Sequence, residues 1–321
     1  MLGTGSNTGQ SIRSPASANS LVGVRPTRGL VSRAGVIPLS TTQDAAGPIT
    51  RTVEDAAHML DVVAGYDPDD PSTAFSKGKI PPGYASGLTK DGLKGVRLGL
   101  LTDLLGHEPI HQPVNAVVDS AVAAMTALGA TVVRVSIADL DALTRDLSLI
   151  NFEFKPAFNA YLAGLGTRAP VKTLDEFIAR GQFHPALRSG LLASQRLVDP
   201  LNSAEYKQIL LRRNDLRQAL MTLIAANNLD AVLYPHQRRP VVPIGEEQVE
   251  RNGVLSNGTG FPAVTFPGGF TPPTPSSPLG VPVGIEILGP EWSEHALLKI
   301  AYAFQEGAKV RKPPASTPAL R

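Results

Sequence analysis

Residues 96–137 carry the feature that most restricts the fold. VRLGLLT (96–102) reads as a strand, VNAVVDSAVAAMTALGA (114–130) as a helix and TVVRVSI (131–137) as another strand. Strand, helix and strand in succession describe a crossover that makes two strands parallel and lays the helix on a sheet face. An α/β fold is therefore predicted, with a mostly open sheet covered by helices on both faces. LVGVRPT (21–27), DAVLYP (230–235), FPAVTFP (261–267) and VPVGIEIL (281–288) add strands. Thr52 precedes Asp55 at capping-box spacing, and Val53, Ala56, Ala57, Leu60 and Val63 then fall on one helical face. The longest helix is predicted at SAEYKQILLRRNDLRQALMTLIAANN, with Tyr206, Ile209, Leu210, Leu216, Leu220 and Leu223 roughly periodic. A closing helix (293–307) starts at Ser293 as its cap. Residues 28–50 read as a long loop and 139–226 as a helix-rich insertion. Nothing repeats, so a single domain over 1–311 is expected, followed by a tail at 312–321.

Composition removes several function classes. Thirty basic and 28 acidic residues leave a net charge of +2, and the pairs Arg212-Arg213 and Arg238-Arg239 stand isolated, so no nucleic-acid partner is expected. The absence of cysteine excludes a disulfide scaffold, a thiolate-bound metal and a thiol nucleophile. His107 and His111 are four apart, but Pro109 between them argues against a helix presenting both, so no metal is expected. His236, after a strand end, reads as an exposed loop histidine. No run is long enough to span a membrane and the start lacks a signal-peptide pattern. A cytoplasmic location is the expectation.

The chemistry-bearing candidate is GSNTGQSIR (5–13). A serine hydroxyl becomes a nucleophile only beside a base, and the anion formed on attack needs aimed N–H donors. Thr8-Gly9-Gln10-Ser11 has the makings of such a turn if Gly9 takes positive φ and successive amides converge beside Ser11. Taken alone, the run also reads as a flexible tag, or as a phosphate-gripping loop that lacks the GxxxxGK[ST] and GxGxxG patterns.

The segments that follow carry a resemblance. GSNTGQSIRSPA, VGVRPTRGLVSRAG and DAAGPITRTVEDA resemble, in order, the amidase signature family's G-x-D-x-G-G-S-x-R-x-P-A, V-G-x-[KR]-P-T-x-G-x-V-S-R-x-G and D-x-x-G-P-x-x-R-[ST]-V-x-D-A. GFPAVTFPGGF, LGVPVGIEILGPEWSEHALLKIAYAFQE and NFEFKPAFNAYLA are similar to later family segments. The resemblance implies an amidase-type hydrolase that cleaves a carboxamide C–N bond of a small-molecule or peptide substrate, without cofactor or metal. It implies Ser11 as acyl-forming nucleophile, the backbone N–H groups of Thr8, Gly9, Gln10 and Ser11 as oxyanion hole, and Asn7 and Arg13 as supports of the loop. The family's base, a neutral lysine acting through a second serine, lies upstream of the nucleophile. The ten residues before Ser11 hold no lysine and no GGSSGG-like loop to carry that serine, so a missing N-terminal portion is expected, with an open apolar sheet edge and a tendency to oligomerise.

Two positions depart from the pattern: Asn7 stands for the usual Asp, and Gln10 for the usual Gly. Gln10 is expected to strain the turn if positive φ is needed there, and to narrow the site if a small residue is needed to admit substrate. Asp44 is assigned either to substrate binding or to capping near the 52–64 helix. Glu153 and Lys155 read as a solvated helix face or as substrate-facing, Trp292 as packed at the last helix, and Asn257-Gly258-Thr259 as a turn. An inactive amidase fragment or scaffold is the alternative function, and an anion-binding module the third.

Overall fold

The computed structural model describes residues 2–314. The chain begins with β1 (Leu2–Asn7), α1 (Arg13–Ala18), β2 (Val22–Arg25) and β3 (Ala45–Thr50), followed by α2 (Val53–Val63). The crossover unit is β4 (Arg97–Leu101), α3 (Gln112–Ala127) and β5 (Thr131–Val135). Helices α4 (Leu140–Thr144), α5 (Ile150–Gly164), α6 (Leu174–Arg180), α7 (Arg188–Arg196) and α8 (Ala204–Ala226) follow. Then come β6 (Ala231–Pro235), α9 (Val254–Thr259), β7 (Ala263–Phe270), β8 (Pro282–Leu288) and α10 (Glu294–Ala308).

The strands form one mixed eight-stranded sheet in the order β1-β3-β2-β7-β8-β6-β4-β5. β4 pairs in parallel with both β5 and β6, as a crossover requires, while β6 runs antiparallel to β8. Strand alternation splits the core between the two faces. Leu98, Leu233, Val264 and Ile287 pack under α2, α3 and α10, whereas Val232, Ala263 and Leu288 pack with Leu216 and Leu220 of α8. No helix among the described residues is long and apolar enough to cross a membrane.

Side chains cap some helix starts, but not that of α10. The Thr52 side chain accepts the Asp55 N–H at 3.1 Å and Ser203 accepts that of Tyr206 at 3.2 Å. Ser293 stands at the N-cap of α10 but donates instead to Pro290 O at 2.6 Å. On α8 the buried face runs through Ile209, Arg213, Leu216, Leu220 and Ile224, leaving Leu210 37% exposed.

Three segments read as loop are regular. β1 is a strand although it is built from Gly, Thr, Ser and Asn, because its backbone ladder with β3 runs unbroken from Leu2↔Thr50 to Asn7↔Ala45. β3 lies inside the expected 28–50 loop. It tolerates Pro48 because the β2 ladder covers only Thr50 and Ile49, so the missing N–H costs no bond there. Residues 13–18 form α1, which seats Ala16 against Gly23 of β2. β1 is an outer strand of the sheet, but its side chains are small and polar apart from Leu2, unlike the apolar edge expected. The expected tail lies, from residue 315 on, outside the described residues.

Candidate active site

Residues 8–12 link the end of β1 to α1, and the turn is held from inside. Asn7, fully buried, accepts the Ile12 N–H at 3.2 Å through Oδ1 and donates Nδ2 to Gly9 O at 3.0 Å. Arg13, also fully buried, donates Nη2 to Gly9 O and to Gly253 O, each at 2.8 Å. Thr8 Oγ1 donates to Asp44 at 2.5 Å, and Gln43 Nε2 donates to Thr8 O at 3.2 Å. Ser11 is exposed at the crest. Among the described residues, neither its hydroxyl nor the backbone N–H groups of Thr8, Gly9, Gln10 and Ser11 have a protein partner. Unspent donors around an unspent hydroxyl are what an arriving carbonyl needs.

The turn differs from expectation in its backbone. Gly9 and Gln10 do not take positive φ, so Gln10 carries no left-handed strain. A Cβ at Gly9 would sit an ordinary 3.8 Å from Asn257 Nδ2. The glycine that Gln10 requires is Gly253, where a Cβ would come within 2.4 Å of Gln10 Cγ.

Beneath α1 lies a buried polar centre that no sequence motif announces. Arg13 Nη1 is ion-paired with Glu286 of β8, with both side chains fully buried. Tyr234 donates to the same oxygen of Glu286 at 2.7 Å, and Thr265 of β7 donates to the other at 2.9 Å. His236 is not an exposed loop residue. It is fully buried, with Nδ1 2.6 Å from Glu286 and Nε2 2.9 Å from Ser14 Oγ. The antiparallel β6–β8 register, Tyr234↔Glu286, sets His236 beside that carboxylate. Burial opposes ionisation of Glu286, but Arg13, His236 and Tyr234 outweigh it and hold the carboxyl at about 2. Burial lowers the His236 pKa against the pull of Glu286. A neutral imidazole beside an ionised carboxylate keeps its proton on Nδ1, so Nε2 accepts from Ser14. A lone Glu inside the apolar run VPVGIEIL was the available signal; its partners lie between 21 and 273 residues away in the chain.

The loop before β3 carries the remaining candidates. Asp44, 8% exposed, accepts the N–H groups of Leu39 and Ser40 at 2.8 and 2.9 Å besides Thr8. It braces the turn that carries Ser11 and does not cap α2, which Thr52 serves. Glu153 is buried, not solvated: it accepts from Ser40 Oγ at 2.5 Å, from Thr42 and from Tyr206 at 2.8 Å. Burial and that carboxylate push Tyr206 up to about 12. Lys155 Nζ donates to Gln195 O at 3.1 Å. Trp292 is partly buried against the core ahead of α10, and residues 257–259 belong to α9.

Two cavities flank the region. One of about 480 Å³ is lined by Arg28, Lys79, Arg213, Arg217, Glu291 and Trp292. Burial, with Arg28 and Arg217 near, lowers Arg213 to about 10. The other, about 500 Å³, is walled by Ile37, Phe154, Phe158, Tyr161, Phe177 and Leu191.

Residues 1–298 match the Amidase family model. Probable amidase At4g34880 of Arabidopsis thaliana is 33% identical over 324 residues, 97% of this chain and 57% of that protein. An amidase family protein from Bacillus anthracis superposes with a TM-score of 0.81 at 29% identity, covering 98% of this chain and 58% of its own. Native peptide amidase from Stenotrophomonas maltophilia superposes with a TM-score of 0.84 at 32% identity, covering 98% of this chain and 63% of its own. The chain thus spans about three-fifths of the length of these relatives. Extent of match, shared sheet and helix arrangement together place this chain in the amidase signature family.

Proposed function

We propose that this chain carries the acyl-forming half of an amidase, with Ser11 as nucleophile. The observation that supports this best is the braced turn in which four consecutive N–H groups and the Ser11 hydroxyl are all unspent. Ser11 Oγ attacks a carboxamide carbon, and the oxyanion is met by the amides of Thr8 to Ser11. Collapse breaks the C–N bond, the proton given up by Ser11 Oγ departs on the amine, and water hydrolyses the acyl-enzyme to the acid and the free serine. Asn7 and Arg13 hold the turn's shape, and Asp44 fixes Thr8 from the other side. A peptide carboxamide, after the name of the peptide amidase this chain resembles, or a small carboxamide suits this chemistry. The aromatic cavity beside the Asp44 loop favours an apolar group on the substrate.

Among the described residues no base contacts Ser11 Oγ, which favours a second reading, a scaffold that binds but does not turn over. Ammonia release from simple primary amides by the chain and by Ser11→Ala separates the two. Loss of release in the variant supports the nucleophile; equal rates, or none in either, leave the scaffold.

A further inference from the structure

Ser14, one turn of α1 beyond Ser11, meets the three geometric demands of an activated hydroxyl. Its Oγ lies 2.9 Å from His236 Nε2, the other ring nitrogen lies 2.6 Å from Glu286, and Glu286 is locked in place by Tyr234, Thr265 and Arg13. Nucleophile, base and orienting acid within hydrogen-bond reach define such a set by geometry and role, whatever the order in sequence. Ser14 itself is half-buried, whereas His236 and Glu286 are sealed from water. Ser14 is therefore the one member of the set that is not sealed from water.

Gln10 supplies a second element. Its Oε1 lies 3.3 Å from Ser14 Oγ, and its stem is packed on Gly253. The terminal amide torsion is broad and two-fold, so a half-turn presents N–H donors at the same place. An oxyanion developing on a carbonyl bound to Ser14 would find a donor there.

We infer that Ser14, His236 and Glu286 form a second acylation site, independent of Ser11, that accepts small carboxylic acyl donors such as activated esters and anilides. Ser14 Oγ attacks the carbonyl carbon and forms the C–O bond as its proton passes to His236 Nε2. The imidazolium, steadied by Glu286, gives that proton to the departing oxygen or nitrogen as its bond to carbon breaks. Water, deprotonated by the same imidazole, then returns the serine and releases the acid.

The test uses the whole chain, a fluorophosphonate that releases fluoride on reacting with an activated serine, and peptide mass mapping. Trypsin cuts after Arg13 and puts Ser11 and Ser14 on different peptides. Ser11→Ala should still be labelled, with fragmentation locating the label at Ser14, and Ser14→Ala should lose that label alone. His236→Gln should slow labelling of Ser14 by about a hundredfold, the scale of general-base assistance, without changing that at Ser11. p-Nitrophenyl acetate should give a burst of nitrophenol with Ser11→Ala that is absent from the Ser11→Ala, Ser14→Ala double variant. An unlabelled Ser14 in the parent chain and in Ser11→Ala overturns the proposal, as does Ser14 labelling indifferent to a folded His236→Gln. Should His236→Gln not fold, the Ser11→Ala and Ser14→Ala labelling patterns decide alone. Failure at Ser14 leaves the Ser11 reading untouched, because amide turnover by Ser11→Ala is scored separately.

Discussion

Arg13 and Glu286 form an ion pair that is fully buried on both sides and joins the helix after the Ser11 turn to the centre of the sheet. Arg13 also holds two carbonyls, Gly9 O and Gly253 O, so the pair fixes the turn as well as the core. Breaking a buried pair by removing one partner strands the other charge. Glu286→Ala is expected to lose about 3–5 kcal/mol of stability, and Arg13→Met a similar amount. Urea midpoints check both. A loss under about 1 kcal/mol, the scale of an exposed pair, would contradict the structural role of this pair.

Asp44 serves donors only: the Thr8 hydroxyl and the amides of Leu39 and Ser40. Asp44→Asn can keep its oxygen on the two amides and turn its NH₂ to Thr8 Oγ1, which then accepts. Asp44→Ala leaves all three without a partner, at about 1–3 kcal/mol per buried group. The alanine variant should therefore melt well below the asparagine variant and react more slowly at Ser11 with fluorophosphonate. Equal behaviour of the two variants would remove Asp44 from the support of the turn.

β1 and β3 each offer a glycine, and the two should respond in opposite ways. At Gly47 a Cβ would stand 2.2 Å from Val24 O, a backbone atom that cannot swing aside. Gly47→Ala is expected to cost about 3 kcal/mol, the upper end for overpacking. At Gly3 a Cβ would meet only Ile49 O at 3.5 Å. Gly3→Ala should be neutral or stabilising by about 0.5 kcal/mol, since glycine in a strand loses the most chain freedom. Thermal melts of the two variants measure the contrast.

The parts of the fold legible in sequence were those whose signal is local. The crossover at 96–137, the Thr52 cap and the apolar strands 230–235 and 281–288 carry their period or their punctuation in neighbouring residues. β1 and β3 were not legible, because LGTGSN and AAGPIT have no apolar alternation and owe their form to each other's backbone. The turn at Ser11 was legible through its motif, but its bracing by Asp44 was not, since a loop aspartate has several local uses. His236 and Glu286 were invisible as a pair: each is a single polar residue at a strand, and only the β6–β8 register brings them together. Polar centres assembled by sheet topology leave no spacing to read.

The same centre sets the pH response. Unfolded, His236 titrates near 6.5; folded, burial holds it neutral to lower pH. Below about 6.5 the unfolded chain thus binds more protons, and stability falls as pH falls. Glu286, held at about 2 against an ordinary 4.5, adds a loss of the same sign between those values, on the order of a few kcal/mol. Glu294 acts the other way. Burial raises its pKa although it accepts the Thr27 N–H at 2.6 Å, so its ionisation costs stability as pH rises above 4.5. Glu294→Gln keeps the acceptor and removes the charge, so it should be stabilising at pH 7 and lose that advantage near pH 4. His236→Gln should flatten the slope just below pH 6.5 and, by taking one support from Glu286, also soften the fall below pH 4.5. Urea midpoints of the three proteins at pH 7.5, 6, 5 and 4 measure these slopes. An unchanged slope in a folded His236→Gln would mean that the imidazole contributes nothing to acid sensitivity, against its sealed position between Ser14 and Glu286.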